Sequence, residues 1–223
     1  MSARPLVVAI GALHAASEEG IVADAAVIAE LDGRCACVAT ALCPEPDAVP
    51  IALSHRLIEA QLAGALAEVP RATRVGYLGS GRDAEAVAQA LAARASERIV
   101  LAPELPAAQR TALLPLADVV VVRAAGDARD LDAMREAASR LRGQGARAVL
   151  VTGGVSGARI LDLLDDGGRL TVLDASRIHA QRLPGLAGAH ASALTGHLAR
   201  EEPLATAAEA AQRYVALRLG RGR

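Results

Sequence analysis

The sequence predicts an α/β fold, a mostly parallel central sheet with helices on both faces, and three observations carry that expectation. Short runs rich in Val, Ile and Leu alternate with helical patterns; each run is bounded by Gly, Pro or Asp; and the spacing of strand and helix suits βαβ units. Strands are expected at Leu6–Ile10, Cys35–Leu42, Arg74–Leu78, Ile99–Leu101, Val119–Val122, Ala148–Thr152 and Leu170–Leu173. The first helix is expected over Glu18–Leu31, where Ile21, Ala25, Ile28 and Leu31 recur at three- and four-residue steps. Similar apolar faces mark His55–Val69, Asp83–Ala95, Asp130–Leu141 and Thr206–Leu219, and a further helix is expected over Ala189–Leu198. Asp165-Asp-Gly-Gly168 stands apart. Its two glycines, between Leu161–Leu164 and Leu170–Leu173, predict a tight turn into an antiparallel edge strand. No repeat, linker or break in composition divides the chain, so residues 1–223 read as one domain.

Composition narrows the chemistry. The chain has 223 residues, of which 52% are hydrophobic and 22% charged, with a net charge of −1; that is enough apolar material for a real core. Lys, Asn, Trp and Phe are absent, so all 24 basic residues are Arg and the aromatics are Tyr77 and Tyr214. A Schiff-base lysine and a Gly-Lys-Ser/Thr phosphate loop are thereby excluded, because both need an ε-ammonium. Nucleic acid is not expected as a partner, since the charge is balanced and few rings are available to stack bases. The N-terminal apolar run, Leu6–Ile10, is only five residues long before Gly11, and no run approaches the ~18 needed for a membrane span. A cytoplasmic protein without membrane contact is the expectation. Cys35, Cys37 and Cys43, odd in number and crowded together, are expected to be reduced and buried rather than disulfide-linked or metal-bound.

Open sheets bind ligands beyond the carboxyl ends of their strands, so the loops there hold the candidate sites. Gly79-Ser-Gly-Arg-Asp-Ala84 matches a dinucleotide fingerprint on its face. It lies outside a first βαβ unit, however, and no acidic residue ends the next strand; a plain strand-to-helix turn with an Asp83 cap is the better account. His14 follows the first strand, a place suited to ligand contact, whereas His190 and His197 fall on or near a late helix with no evident partner. Pro184-Gly-Leu-Ala-Gly188 precedes a helix, where free backbone N–H groups suit either an anion or a bare loop. Val151-Thr-Gly-Gly154 with Gly157 suits the close approach of a phosphate or simply a bend.

Taken in order, these segments resemble the hydroxymethylpyrimidine/phosphomethylpyrimidine kinases of the ribokinase-like superfamily, over nearly the whole chain. Ala9-Ile-Gly with Gly20-Ile-Val-Ala-Asp24 is similar to the family's opening strand, substrate loop and first helix, and Thr40-Ala-Leu42 to the end of its second strand. Arg74-Val-Gly-Tyr-Leu78 resembles its Lys-x-Gly-Met-Leu, Ile99-Val-Leu-Ala-Pro103 its Val-Val-Leu-Asp-Pro, and Leu113-Leu-Pro-Leu-Ala-Asp118 the approach to its Thr-Pro-Asn. The run from Gly145 to Gly154 resembles its Val-Leu-Val-Lys-Gly-Gly strand, Asp162-Leu163 its Asp-x-Leu, and Gly185-Leu-Ala-Gly188 its Gly-Thr-Gly-Cys. The resemblance implies a ribokinase-like fold, ATP-dependent phosphorylation of the thiamine pyrimidine precursor, ATP and Mg as cofactors, and a homodimer. It places Gly11, His14, Glu45 and Tyr77 on the substrate side, and Thr152, Gly153, Gly154, Gly185 and Gly188 on the phosphate and nucleotide side.

Several of the implied roles are vacated. Gly188 stands at the family's catalytic position, Ala102 at its strand-end acid, Val121-Val-Arg123 at its Thr-Pro-Asn, and Thr152 at its phosphate-contacting Lys. The loop Asp becomes His14, the pyrimidine-reading Gln becomes Glu45, and the Met over the substrate becomes Tyr77. Glu45 could pair with an aminopyrimidine, and Arg123 could hold a phosphate. Phosphoryl transfer depends on positioned cations and, where present, a base contributing ~10²–10⁴. The reading is a family member with no catalytic residue at its usual place, no metal ligands, and weak or lost activity toward a small pyrimidine or phosphate ligand. Two alternatives remain: a non-catalytic ligand-binding or scaffold protein of the same fold, and a new enzyme built on His14, Glu45 and Tyr77.

Overall fold

The computed structural model describes residues 3–15, 19–45, 48–93, 98–124, 130–176 and 185–221. Nine strands form one sheet: β1 (Leu6–His14), β2 (Arg34–Cys43), β3 (Ile51–Ala52), β4 (Ala72–Val75), β5 (Arg98–Leu101), β6 (Val119–Arg123), β7 (Val149–Ser156), β8 (Arg159–Asp165) and β9 (Leu170–Ser176). Their order is β3-β2-β1-β4-β5-β6-β7-β8-β9. β2, β1, β4, β5, β6 and β7 run parallel to one another, while β3, β8 and β9 pair antiparallel. The turn expected at Asp165–Gly168 joins β8 to β9, with Asp165 opposite Leu170.

Helices cover both faces, as a parallel sheet requires. On one side lie α2 (His55–Ala65), α3 (Gly81–Ala92), α4 (Ala107–Leu113) and α5 (Leu131–Gly143); their Ile58, Leu62, Leu91, Leu113 and Met134 pack with Val75, Leu101 and Val149 of the sheet. On the other lie α1 (Gly20–Glu30), α6 (Leu186–Leu198) and α7 (Leu204–Arg221), where Val27, Ala191, Leu194, Ala207 and Ala211 meet Val100, Val119 and Leu150. Small residues let α6 sink between α1, α7 and the sheet, and ten of its thirteen residues are buried.

Two elements went unread in the sequence, β3 and α4, and several bounds differ. The expected helix ends at Glu18 and Ala95 lie outside the described residues. The strand expected over Arg74–Leu78 ends at Val75, and the cap of α3 is Ser80 rather than Asp83. Ser80 Oγ accepts from the Asp83 N–H at 3.2 Å and donates to Asp83 Oδ2 at 2.7 Å, so the two residues cap the helix reciprocally. His14 is not in a loop: after a register shift at Gly11/Ala12, β1 stays paired with β2 up to His14 opposite Cys43. The thiols also need correction. All three are free, but only Cys43 is buried; Cys35 is half-buried and Cys37 exposed. The cause is topological, since β3 covers only Ala41 and Leu42 and leaves the rest of β2 as a sheet edge.

Candidate active site

A cleft of about 920 Å³ opens beyond the carboxyl ends of the parallel strands, against the first turn of α6. It brings together Gly11, His14, Tyr77, Arg123, Thr152, Gly153, Gly185 and Gly188, residues expected from both the substrate and the phosphate side. Glu45 is not among them. It is exposed after β2, its carbonyl accepting from the Ala48 N–H at 3.2 Å. Gly154 also does not line the cleft, because its neighbours Gly153 and Val155 take the two places facing inward. Ala102 and Val121 are core residues, fully buried.

The interior of the cleft holds an ionic network that was not foreseen. Arg74, on the central strand β4, is 3% exposed, and its Nη1 lies 2.9 Å from Asp24 Oδ2 while its Nη2 donates to Glu104 Oε2 at 2.9 Å. Asp24 comes from α1, facing the sheet; Glu104 follows β5, just past Pro103. Burial raises the Asp24 carboxyl to about 6, against the lowering influence of Arg74 and of Ser192. The Ser192 oxygen stands 2.6 Å from Asp24 Oδ1 and 2.9 Å from the Gly188 carbonyl. One hydroxyl hydrogen cannot serve both oxygens. When Asp24 is protonated it can donate to Ser192, which then donates to Gly188, so the proton state of Asp24 is wired to the start of α6.

Gly188 is the centre of this arrangement. A Cβ there would stand 2.8 Å from Glu104 Oε1 and 3.4 Å from Arg74 Nη2. The volume that a side chain at 188 would enter is thus taken by a carboxylate from another loop.

Around α6 the polar groups are mostly committed. The Gly185 N–H, at the N-cap, donates to Glu19 Oε1 at 3.0 Å, placing a carboxylate at the positive end of the helix. Asp162 Oδ1 accepts from the Gly153 N–H at 2.9 Å, and its Oδ2 lies 3.8 Å from His190 Nδ1. Burial raises the Asp162 carboxyl and lowers the His190 imidazole, so His190 is neutral near pH 7. His190 Nε2 and His14 Nδ1 are buried atoms without a hydrogen-bond partner among the described residues. Thr152 Oγ1 donates to the Val122 carbonyl at 3.4 Å. Arg123 is exposed at the rim, without an ion-pair partner among the described residues. Tyr77 is fixed through its backbone, whose carbonyl accepts from Thr40 Oγ1 at 2.7 Å.

The residues present do not fit a protein-held magnesium ion. Among the described residues, no three His, Cys, Asp or Glu side chains converge on a point where a metal could sit. Each carboxylate in the cleft already faces an arginine, a hydroxyl or a backbone N–H.

A mostly parallel sheet with its cleft at the strand ends and a buried helix facing it is an α/β architecture of the ribokinase-like kind. The pyridoxal kinase of Staphylococcus aureus, solved with pyridoxal, matches with a TM-score of 0.89 over 98% of this chain and 89% of its own, at 23% identity. The phosphomethylpyrimidine kinase of Clostridium difficile 630 matches with a TM-score of 0.79 over 96% of this chain and 99% of its own, at 17% identity. A model of the phosphomethylpyrimidine kinase family matches residues 117–222. The thiamine biosynthesis bifunctional protein ThiED of Geobacter sulfurreducens is 39% identical over 100 residues, 42% of this chain, and the match spans 20% of that longer protein. The chain thus shares its fold with these kinases over nearly its whole length and is similar in sequence to the phosphomethylpyrimidine kinase family over residues 117–222. No helix among its described residues is long and apolar enough to cross a membrane.

Proposed function

We propose that the cleft binds a nucleoside triphosphate, ATP by likeness to the family, together with hydroxymethylpyrimidine or its phosphate, and transfers phosphate slowly. The observation that carries this reading is Gly188. The fold, the cleft and the helix facing it are kept, while the position at the first turn of α6 that would carry a side chain toward the ligand is bare. Slow transfer is supported by the charge arrangement. Arg74 is already offset by two carboxylates, Arg123 sits at the rim, and the transferred group would meet little positioned positive charge. Gly11, His14 and Tyr77 are the substrate-side wall; Thr152, Gly153, Gly185 and Gly188 are the phosphate-side wall. Glu45 has no part in it in this conformation. A cytoplasmic homodimer of one-domain subunits belongs to the same proposal, and the exposed Leu42 and Ile51 at the β2–β3 edge supply apolar surface for pairing.

A direct assay tests it. ADP formation from ATP–Mg²⁺ dependent on hydroxymethylpyrimidine should be measurable but at least about 100-fold below the ~10 s⁻¹ median of enzymes. Turnover near that median overturns the reading of a weakened site.

A further inference from the structure

We propose that Glu104 is the general base of this cleft, supplying from the β5–α4 loop the carboxylate that residue 188 does not. The inference rests on the ligand reading above and adds the group that takes the proton.

Four observations carry it. Glu104 Oε1 stands 2.8 Å from the point where a Cβ on residue 188 would lie, so it occupies the opening of the first turn of α6. Its other oxygen, Oε2, accepts from Arg74 Nη2 at 2.9 Å, and Arg74 is itself fixed by Asp24 from behind, so the carboxylate is oriented by a buried group. The side chain is 40% exposed in the cleft lining, whereas that of Asp24, which also borders the cleft, is 3% exposed, so a ligand can reach Glu104. The remaining carboxylates are worse placed: Glu19 caps Gly185, Asp162 is bound to Gly153, and Asp24 is sealed behind Arg74. A base must lie within hydrogen-bond reach of the proton it removes, and Glu104 Oε1 is an accessible carboxylate oxygen placed at the first turn of α6.

The primary hydroxyl of the substrate gives its proton to Glu104 Oε1 as its oxygen forms a bond to the γ-phosphorus of the nucleoside triphosphate. The bond from that phosphorus to the bridging oxygen breaks, and its electron pair leaves on the nucleoside diphosphate. Glu104 later releases the proton to solvent through the open side of the cleft. Arg74 is a positioning residue here, since it acts through Glu104.

The test separates binding from chemistry. Calorimetry gives the affinity of wild type, Glu104→Gln and Glu104→Ala for hydroxymethylpyrimidine and for its analogue with methyl in place of hydroxymethyl, beside ATP-dependent turnover of the alcohol. Wild type should prefer the alcohol to the methyl analogue. Glu104→Gln, which keeps an acceptor oxygen but cannot hold a transferred proton, should keep that preference within about threefold and lose about 100-fold or more in kcat. Glu104→Ala should lose both. Unchanged turnover in Glu104→Gln overturns the assignment, as does an Ala variant that still prefers the alcohol. A wild type that binds the alcohol without ever turning it over also overturns the base assignment and leaves the ligand reading standing. Binding of neither pyrimidine overturns both.

Discussion

Arg74→Met should destabilise the protein by about 3–5 kcal/mol at pH 8, the cost of leaving a buried carboxylate without its counter-charge. Met fills most of the apolar volume of the arginine stem, so lost packing contributes little. What remains is Asp24, 3% exposed and facing Ser192 alone. The loss should depend on pH, and the sign follows from Asp24. Its pKa in the folded protein is about 6 against 3.8 unfolded, so the native state takes up a proton between those values. The stability this group contributes is complete below pH about 4 and is lost as pH rises through 6. Without Arg74 the folded pKa moves higher still, so the variant continues to lose stability where wild type has levelled off. The difference between the two, read from urea midpoints, should be smallest near pH 5 and grow toward pH 8. Arg74→Met with Asp24→Asn should recover most of it, since the one carboxylate then left without its arginine, Glu104, is 40% exposed and open to water. A cost below about 1 kcal/mol at pH 8, or one independent of pH, contradicts the network described here.

Gly20→Ala should be nearly as damaging for a different reason. Gly20 opens α1 with φ +71°, a backbone region that L residues with a Cβ rarely adopt, and the added Cβ would stand 2.2 Å from the Ala12 carbonyl oxygen. The obstructing atom is backbone, at a position of β1 held by its pairing with Ala41 of β2, so it cannot swing aside as a side chain would. Either the first turn of α1 unwinds or the end of β1 shifts, at a cost of about 3 kcal/mol. Glu19 and His14 flank this contact, so the substrate-side wall should move with it. The variant should show a lower urea midpoint and at least tenfold weaker binding of hydroxymethylpyrimidine. Stability within about 0.5 kcal/mol of wild type contradicts the tight approach of α1 to β1.

The architecture was legible because its signals are local. Parallel strands buried on both faces read as short apolar runs, helices as recurring steps of three and four, and the glycine pair at 167–168 as a hairpin. What escaped has physical causes. β3 is two residues long, too short for any pattern, and α4 is seven residues preceded by prolines at 103 and 106 that suggest a loop. The glycines and His14, Tyr77 and Thr152 could be placed because strand ends are visible in sequence. The ionic network could not. Asp24, Arg74 and Glu104 are far apart in the chain, and only the register that sets Ala9 beside Arg74 and Arg74 beside Val100 brings them to one place. An arginine inside the buried strand Ala72–Val75 was the available clue, since a charge there demands partners. Glu45 is the opposite case. Its place in the sequence suits pyrimidine recognition, yet the chain after β2 leaves it on the surface.

By the same geometry, Gly188→Cys alone should not restore phosphoryl transfer, an outcome that the ATP-dependent assay of that variant checks. A thiol there would have to displace Glu104 Oε1, exchanging one candidate base for another while Arg74 loses its partner.

The account stands most directly on whether this cleft takes both a nucleotide and a hydroxymethylpyrimidine. Thermal unfolding followed with ATP–Mg²⁺, hydroxymethylpyrimidine and its phosphate, each at about 100 times its Kd, should show stabilisation of about 2.7 kcal/mol per ligand, a rise in Tm of roughly 5–10 °C for a chain of this size. An unfolding temperature unmoved by all three at millimolar concentration contradicts it.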